Sequence, residues 1–259
     1  TISLFVHIFT GFEVNFLDVG QGDGIAIRTH DAFITVDGGS SDVKNVGKYR
    51  IIPFIKYKGI RAIDYAIISH LDNDHVSGVR ELLEQSDNGG IKVRNIVLPK
   101  LLNKDDEYVE MEKLAHAMGV EVLYLKNGDS IEAGPLKIKC INPDIKNQMD
   151  DRNDNSTVLD VKYKNFSMLL TGDISSEVEN NIEKNLAQKY TVLKVPHHGS
   201  RFSSSEKLLS KVSPKYSVIS CGEGNSYGHP HIETIDRLNM HNTEILRTDL
   251  IGEIDFRME

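Results

Sequence analysis

The stretch Ser69-His70-Leu71-Asp72-Asn73-Asp74-His75 decides the fold of this chain. Residues 64–68, which precede it, predict a buried strand, and Val79, Leu82 and Leu83, which follow it, recur at helical spacing. Four potential metal ligands therefore lie within six residues at a strand-to-helix turn. Such turns lie at the carboxyl ends of strands, where open α/β folds bind their ligands.

The spacing of these side chains predicts more than one metal ion. Imidazole groups suit zinc and manganese, whereas carboxylates favour harder cations and can bridge two ions. His70 and Asp72 share a face of an extended segment, while Asp74 and His75 are adjacent and cannot easily bind the same ion as that first pair. The alternative is a helix entry capped by Asp72 or Asp74, with both histidines on the surface.

The motif His-x-Asp-x-Asp-His resembles the metallo-β-lactamase superfamily signature His-x-His-x-Asp-His, with Asp72 in place of the second histidine. Further segments resemble the carboxy-terminal domain of ComEC-like competence proteins: residues 16–23, 153–159, 171–173, 196–200 and 225–230. This resemblance implies an α/β fold, a four-layer αββα sandwich with its site at the rim between two sheets. It divides the chain into an N-terminal stub or linker, residues 1–12, and a hydrolase domain, residues 13–259.

The resemblance also implies a metal centre with two divalent ions, zinc or manganese. Its expected ligands are His70, Asp72, Asp74, His75, Asp173 and His229. Asp173 is expected to bridge the two ions, although an aspartate between a strand and a helix can also be a simple N-cap. Because Asp72 replaces a histidine, the ligand set shifts towards oxygen, and manganese competes better with zinc.

Adjacent histidines at 197 and 198 supply the candidate proton donor. On an extended chain neighbouring side chains point in opposite directions, so one imidazole should face the site and the other away. We expect His198 to face it, and either His198 or His197 to protonate the leaving oxygen, since neutral imidazole suits that task near pH 7. Asp74 completes the predicted catalytic set. The alternative places both histidines on a surface loop.

Five further side chains are expected beside the ligands, in supporting or substrate-binding positions: Asp18, Asp37, Asn155, Ser200 and Asn225. Asp37 ends a strand before two glycines, where the superfamily has an aspartate that orients metal ligands; a turn-forming role is the alternative. Asn155 stands near the place of a histidine ligand in most of the superfamily, but it can also form an Asx-turn. The glycine-rich residues 20–24 could cradle a phosphate, although a tight hairpin is the simpler interpretation.

Composition limits the function. The 259 residues carry a formal net charge of −8, which argues against a protein that coats nucleic acid but not against a nuclease whose positive charge resides in bound metals. Two cysteines provide no disulfide framework. The apolar residues 2–9 are too short to span a bilayer, and we interpret them as the stub of a membrane portion, with an edge strand as the alternative. Residues 142–155 are polar and predicted to be disordered.

The leading hypothesis is a metal-dependent phosphodiesterase, a deoxyribonuclease acting on the strand that is degraded during DNA uptake. Its expected partners are single-stranded DNA and a membrane channel portion of the same protein, with the domain at the cell surface; a free-standing protein would be cytoplasmic. The sequence does not specify an oligomeric state. The alternatives are a hydrolase of a small ester, lactam or nucleotide, and a non-catalytic module of a DNA-uptake channel.

Overall fold

A computed structural model describes residues 9–85 and 90–259. Most of the apolar residues 2–9 therefore lie outside the described residues. The first strands form an antiparallel meander, because short apolar runs are separated by turns at Gly20–Gly24 and His30–Asp31. The strands of the first half are β1 (Phe12–Phe16), β2 (Ile25–Arg28), β3 (Phe33–Val36), β4 (Ala62–Ile67), β5 (Lys92–Pro99) and β6 (Glu121–Leu125).

The second half adds eight strands among the described residues. They are β7 (Ser130–Ala133), β8 (Leu136–Asn142), β9 (Val158–Tyr163), β10 (Phe166–Leu170), β11 (Val192–Lys194), β12 (Tyr216–Ile219), β13 (Glu244–Arg247) and β14 (Ile254–Met258). The helices are α1 (Ile52–Tyr57), α2 (Asn73–Gln85), α3 (Asp106–Ala117), α4 (Ser176–Ile182), α5 (Glu206–Val212), α6 (Ile232–Met240) and α7 (Thr248–Ile251).

These strands form two seven-stranded sheets, with the orders β14-β1-β2-β3-β4-β5-β6 and β13-β12-β11-β10-β9-β8-β7. A central apolar core joins the sheets, with Phe12, Phe16 and Ile34 facing Val161 and Met168. A second core packs α1, α2 and α3 on the first sheet, and a third packs α4, α5 and α6 on the other. The predicted four-layer αββα sandwich is confirmed.

Residues 47–57 are helical, since a π-helical segment, Gly47–Ile51, continues into α1, and Pro53 lies in the first turn of α1. The last two strands belong to different sheets, since β13 pairs with β12 and β14 with β1. One local expectation is corrected. Residues 142–155 are ordered and contain two short 3-10 turns, Ile145–Asn147 and Asn153–Asn155.

The topology brings strand ends from both sheets to one place. β3, β4 and β5 run parallel in the first sheet, and β10, β11 and β12 run parallel in the second. The loops after β3, β4, β10, β11 and β12 carry most of the predicted site residues. Of the described helices, none is long and apolar enough to cross a membrane.

Candidate metal centre

The turn between β4 and α2 is held by close backbone contacts. A Cβ atom on Gly39 would lie 2.5 Å from the carbonyl oxygen of Asn73, and one on Gly22 would lie 2.4 Å from that of Asp74. The backbone N–H of Asp23 donates to the Asp74 carbonyl oxygen at 3.0 Å. Residues 20–24 lie in the loop of the antiparallel β1–β2 hairpin, and Gly22 lets this loop pack directly against the metal-ligand turn.

Asp37 orients the site residues that the first sheet provides. Its Oδ1 accepts from the Ser69 N–H at 2.7 Å, and its Oδ2 accepts from the Ser69 hydroxyl at 2.8 Å and from His75 Nδ1 at 2.9 Å. Because His75 uses Nδ1 for this bond, its Nε2 faces the interior of the site, 3.3 Å from Asp173 Oδ1. A carboxylate behind an imidazole fixes the tautomer that a metal ligand needs.

His198 is oriented in the same way from the second sheet. Its Nδ1 donates to the Ser220 carbonyl oxygen at 2.9 Å, so Nε2 is the nitrogen left to face the site. That atom lies 3.3 Å from Asp173 Oδ2 and 3.5 Å from Asp74 Oδ2. Each of Asp74, His75, Asp173 and His198 offers a ligand atom within 4.8 Å of the others. The structure thus places His198, predicted as a catalytic residue, among the possible ligands.

Several buried polar atoms lie close together at the site without a hydrogen-bond partner among the described residues. Within residues 9–85 and 90–259, six site atoms have no hydrogen-bond partner: Nε2 of His70, His75 and His198, Nδ1 of His229, and Oδ1 of Asp173 and Asp23. Leaving so many buried donors and acceptors unpaired would cost about 1–3 kcal/mol each. Nitrogen and carboxylate oxygen atoms are the usual ligands of zinc and manganese. The residues present therefore fit divalent metal ions.

The electrostatics of the cluster agree with this fit. Burial lowers the pKa of His75, but the charges of Asp173 and Asp37 outweigh burial and raise that pKa well above its ordinary value. Burial is likewise outweighed at His198, where the charges of Asp173 and Asp23 raise the pKa to about 10. The protein alone thus compensates its clustered carboxylates with protons on two imidazoles. Divalent cations would supply the same positive charge and displace those protons.

His70 and Asp72 lie beside this group. Burial and the charge of His75 lower the pKa of His70 to about 4, which keeps the imidazole neutral, as a metal ligand must be. His70 Nε2 lies 3.7 Å from Asp72 Oδ2, while Asp72 Oδ1 accepts from Arg152 at 2.8 Å. Arg152 also binds Asp105 and Glu107 of the α3 entry. Asp72 is thus shared between the site and an ion-pair cluster that orders the loop before β9.

His197 and His229 lie at the mouth of the site. Both members of the 197–198 pair adopt left-handed backbone conformations, with φ of 49° and 53°, so the alternation expected of an extended chain does not apply. The expectation that one imidazole faces away is wrong, because His197 Nε2 lies 3.8 Å from Asp173 Oδ2. The His229 ring centroid is 5.6 Å from that of His197 and 6.2 Å from that of His198. His229 lies outside the tight group of four.

The other predicted side chains hold loops in place. Asn155 bonds to the backbone of residues 149 and 151, which precede it, and so forms neither a ligand contact nor the Asx-turn of the alternative; Asn225 bonds to the backbone of Gly222 and His229. Ser200 accepts from the Phe202 N–H through its hydroxyl. Asp18 accepts from the Gly20 N–H and pairs with Arg50. None of these bonds reaches a ligand atom, so any substrate-binding role for the four stays a prediction.

Two buried charged residues beside the site are not among those that the sequence predicts. The Lys194 side chain is only 1% exposed, and its Nζ lies 2.7 Å from Oδ2 of the equally buried Asp23. Asp23 Oδ1 in turn lies 3.5 Å from His198 Nδ1. The available signal was the position of Lys194 inside the apolar run of residues 192–195, where a solvated lysine is not expected.

The chain is similar to known proteins in sequence and in fold. The model of the Metallo-beta-lactamase superfamily matches residues 17–223. ComE operon protein 3 of Bacillus subtilis is 31% identical over 95% of this chain and 33% of its own length. Competence protein ComA of Neisseria gonorrhoeae is 31% identical over 92% of the chain and 31% of its own length. The chain therefore spans about a third of the length of these relatives.

Solved structures share the fold at low identity. The metallo-beta-lactamase fold protein YhfI from Bacillus subtilis has a TM-score of 0.63 at 11% identity, covering 95% of this chain and all of that one. CmlA, a diiron beta-hydroxylase from Streptomyces venezuelae, has a TM-score of 0.60 at 13% identity, covering 96% of this chain and 54% of its own.

Proposed function

The chain belongs to the metallo-β-lactamase superfamily, with ComEC-like competence proteins among its relatives, and on that premise we propose that it is a phosphodiesterase that requires two divalent metal ions and cleaves single-stranded DNA. One observation carries the proposal. Imidazole nitrogens and carboxylate oxygens from strand ends of both sheets converge, buried and unpaired, on one centre. Such a centre suits the stabilisation of the negative charge that develops at a phosphodiester.

We propose seven metal ligands. Asp74, His75, Asp173 and His198 form the central group, and His70, Asp72 and His229 would complete the ligands of the second ion. When bound, a pair of divalent cations supplies Lewis-acid stabilisation and a more acidic water molecule. The four buried or partly buried carboxylates Asp23, Asp37, Asp74 and Asp173 outweigh the single positive charge of Lys194. Two divalent cations would reverse this balance and leave net positive charge for a phosphate.

The chain's own residues fix the geometry of the proposed reaction. Asp37 and the Ser220 carbonyl oxygen hold protons on Nδ1 of His75 and His198, which keeps both Nε2 atoms as ligands. His198 is fully buried, its Nδ1 is bonded to Ser220 and its unpaired Nε2 lies 3.3 Å from Asp173 Oδ2, so we assign it to the ligands. His197, about a third exposed and beside Asp173, is placed to give a proton to the departing oxygen of the substrate.

The choice of DNA rests on the relatives. Competence protein ComA of Neisseria gonorrhoeae is named for competence, which is the uptake of DNA. We propose that the chain is the domain that degrades one strand during that uptake, attached to a membrane portion at the cell surface. Manganese or zinc is the proposed metal, and manganese is favoured by the oxygen-rich ligand set.

The decisive experiment measures cleavage of labelled single-stranded DNA, double-stranded DNA and RNA after metal removal and after return of manganese or zinc. Asp74→Ala and His75→Ala are expected to reduce metal-stimulated cleavage to background while the far-ultraviolet circular dichroism is unchanged. Asp236→Ala and His116→Ala are the matched controls, since both residues are exposed on helices away from the site. Retained cleavage in the site variants would refute the assignment.

A hydrolase of a small ester, lactam or nucleotide is the second candidate, and the net charge of −8 favours it mildly. Cleavage that falls steeply with salt indicates binding along a phosphate backbone, whereas a small substrate gives a shallow dependence. A non-catalytic module would bind metal ions yet hydrolyse none of these substrates.

A further inference from the structure

Three aromatic rings lead from the metal centre to the surface. The fully buried His198 ring is inclined by 29° to that of His229, with centroids 6.2 Å apart. His229 is in turn inclined by 19° to the ring of Tyr227, at 5.8 Å. Tyr227 is 55% exposed, so this nearly parallel series ends on a ring that is open to solvent.

The loop that carries Tyr227 is held in place. Asn225 Nδ2 donates to the carbonyl oxygens of Gly222 and His229, and Asn225 Oδ1 accepts from the His229 N–H. Three hydrogen bonds thus close the loop around the tyrosine. The position of the ring is therefore set before any ligand arrives, which lowers the entropy cost of binding.

A second exposed ring lies on the neighbouring loop. Phe202 is 72% exposed and follows the histidine pair by four residues. Its loop is fixed by Arg237, which donates to the carbonyl oxygens of residues 201, 203 and 204. The two loops are joined, because the His231 N–H donates to the Gly199 carbonyl oxygen and the Arg201 N–H donates to His231 Nδ1.

We propose that Tyr227 and Phe202 form a stacking platform for unpaired bases of a nucleic-acid strand whose phosphate lies at the metal centre. The inference rests on the proposed function and adds which residues would hold the bases of its single-stranded substrate. Stacking on an aromatic side chain is tolerant of sequence, since every base has a flat face. Bases within a duplex are already stacked and paired, and they could use the platform only after being extruded.

One basic side chain beside the rings is available to a polyanion. Arg201 precedes Phe202 and forms only an exposed ion pair with Glu233, at 3.2 Å. Exposed ion pairs of this kind contribute little to stability, so a phosphate group can replace the carboxylate at small cost. The platform thus combines flat apolar rings with a positive charge that is free to change partner, which is the composition of sequence-tolerant single-strand binding sites.

The test separates base stacking from phosphate binding. Fluorescence anisotropy would follow binding of a labelled oligothymidylate of about 20 nucleotides, and of an abasic strand of equal length, to the Asp74→Ala variant, which prevents cleavage. Adding Tyr227→Ala is expected to weaken oligothymidylate binding about tenfold and abasic binding by less than about twofold. Tyr227→Phe should retain the affinity, because it keeps the ring.

Phe202→Ala should act in the same direction, and Tyr57→Ala is the control, since Tyr57 is 86% exposed and ends α1, outside the two loops of the platform. Equal losses for both strands, or no loss for either in the Tyr227→Ala and Phe202→Ala proteins, would overturn the platform. Binding is measured without cleavage, so the two proposals can be refuted separately. A wild-type protein that hydrolyses no nucleic acid refutes the phosphodiesterase. A Tyr227→Ala variant that weakens binding of oligothymidylate and of the abasic strand equally refutes the platform.

Discussion

Replacing Lys194 by methionine should destabilise the protein severely, because the lysine supports the metal centre from within. Lys194 Nζ lies 2.7 Å from Asp23 Oδ2, and both side chains are 1% exposed. Methionine preserves most of the side-chain volume but removes the charge, so the buried Asp23 carboxylate loses its closest cation and keeps only the imidazoles of His198 and His75, 3.5 and 3.9 Å away. Breaking a buried ion pair in this way costs about 3–5 kcal/mol in the free energy of unfolding.

The assay is urea unfolding of the metal-free protein at pH 7, followed by circular dichroism. Lys194→Met should lower the unfolding midpoint at an unchanged slope, which reports a change in stability rather than in the surface exposed. The double variant Asp23→Asn/Lys194→Met should lose less than the single one, since it leaves no unpaired charge. Lys207→Met is the control, because the partly exposed pair of Lys207 with Glu183 should contribute less than about 1 kcal/mol.

Two results would refute this reasoning. The first is a Lys194→Met protein that unfolds at the wild-type midpoint, which would mean that water or a rearranged partner compensates Asp23. The second is a double variant that is less stable than Lys194→Met alone, which would mean that the amide of asparagine fits the site worse than an unpaired carboxylate.

Three further predictions concern the metal ligands and the pH dependence of stability. Asp37→Asn should weaken metal binding about 10- to 100-fold by calorimetry with little change in fold, because the His75 tautomer is no longer fixed; unchanged affinity would contradict this role. Arg152→Ala should lower the affinity for the more weakly bound of the two ions, because Asp72 loses the partner that orients it, and Arg152→Lys should partly restore that affinity. Equal metal affinities in the wild type and both variants would exclude this role of Arg152. Burial raises the pKa of Glu13, but Lys58 and Arg257 outweigh burial and lower it below 4.5, so its stabilisation is present above that pH and is lost as the pH falls. Glu13→Gln should therefore flatten the acid side of the stability profile measured by urea unfolding, and an unchanged profile would rule this out.

The sequence predicted what depends on local pattern. The strand-to-helix turn at residues 69–75 could be located because apolar periodicity changes there from strand-like to helical. The histidine and aspartate residues that can bind metal lie within the sequence of that turn. Asp37 could be expected behind the ligands, because it ends a strand beside two glycines, and it does bond to His75. The αββα sandwich followed from the resemblance and the order of strands and helices together.

What the sequence did not predict depends on contacts between distant residues. Arg152 and Asp72 are 80 residues apart, and only the folded chain shows that their ion pair orders a loop that composition alone marks as disordered. The burial of Lys194 has the same origin, since Asp23 comes from a loop of the other sheet. Composition describes a residue's average environment, whereas these residues are stabilised by specific charged partners from distant parts of the chain.

The histidine pair shows why backbone conformation decides a chemical role. On an extended chain, one of His197 and His198 would face away and only the other could act. Both residues instead take left-handed conformations, which cost about 1–3 kcal/mol each for non-glycine residues and persist only where surrounding contacts enforce them. Here the enforcing contacts include the bond from His198 Nδ1 to Ser220 and that from the His197 N–H to Gly172. The conformation brings two imidazoles to Asp173 at different depths, so a buried ligand and a more exposed proton donor can be neighbours in sequence.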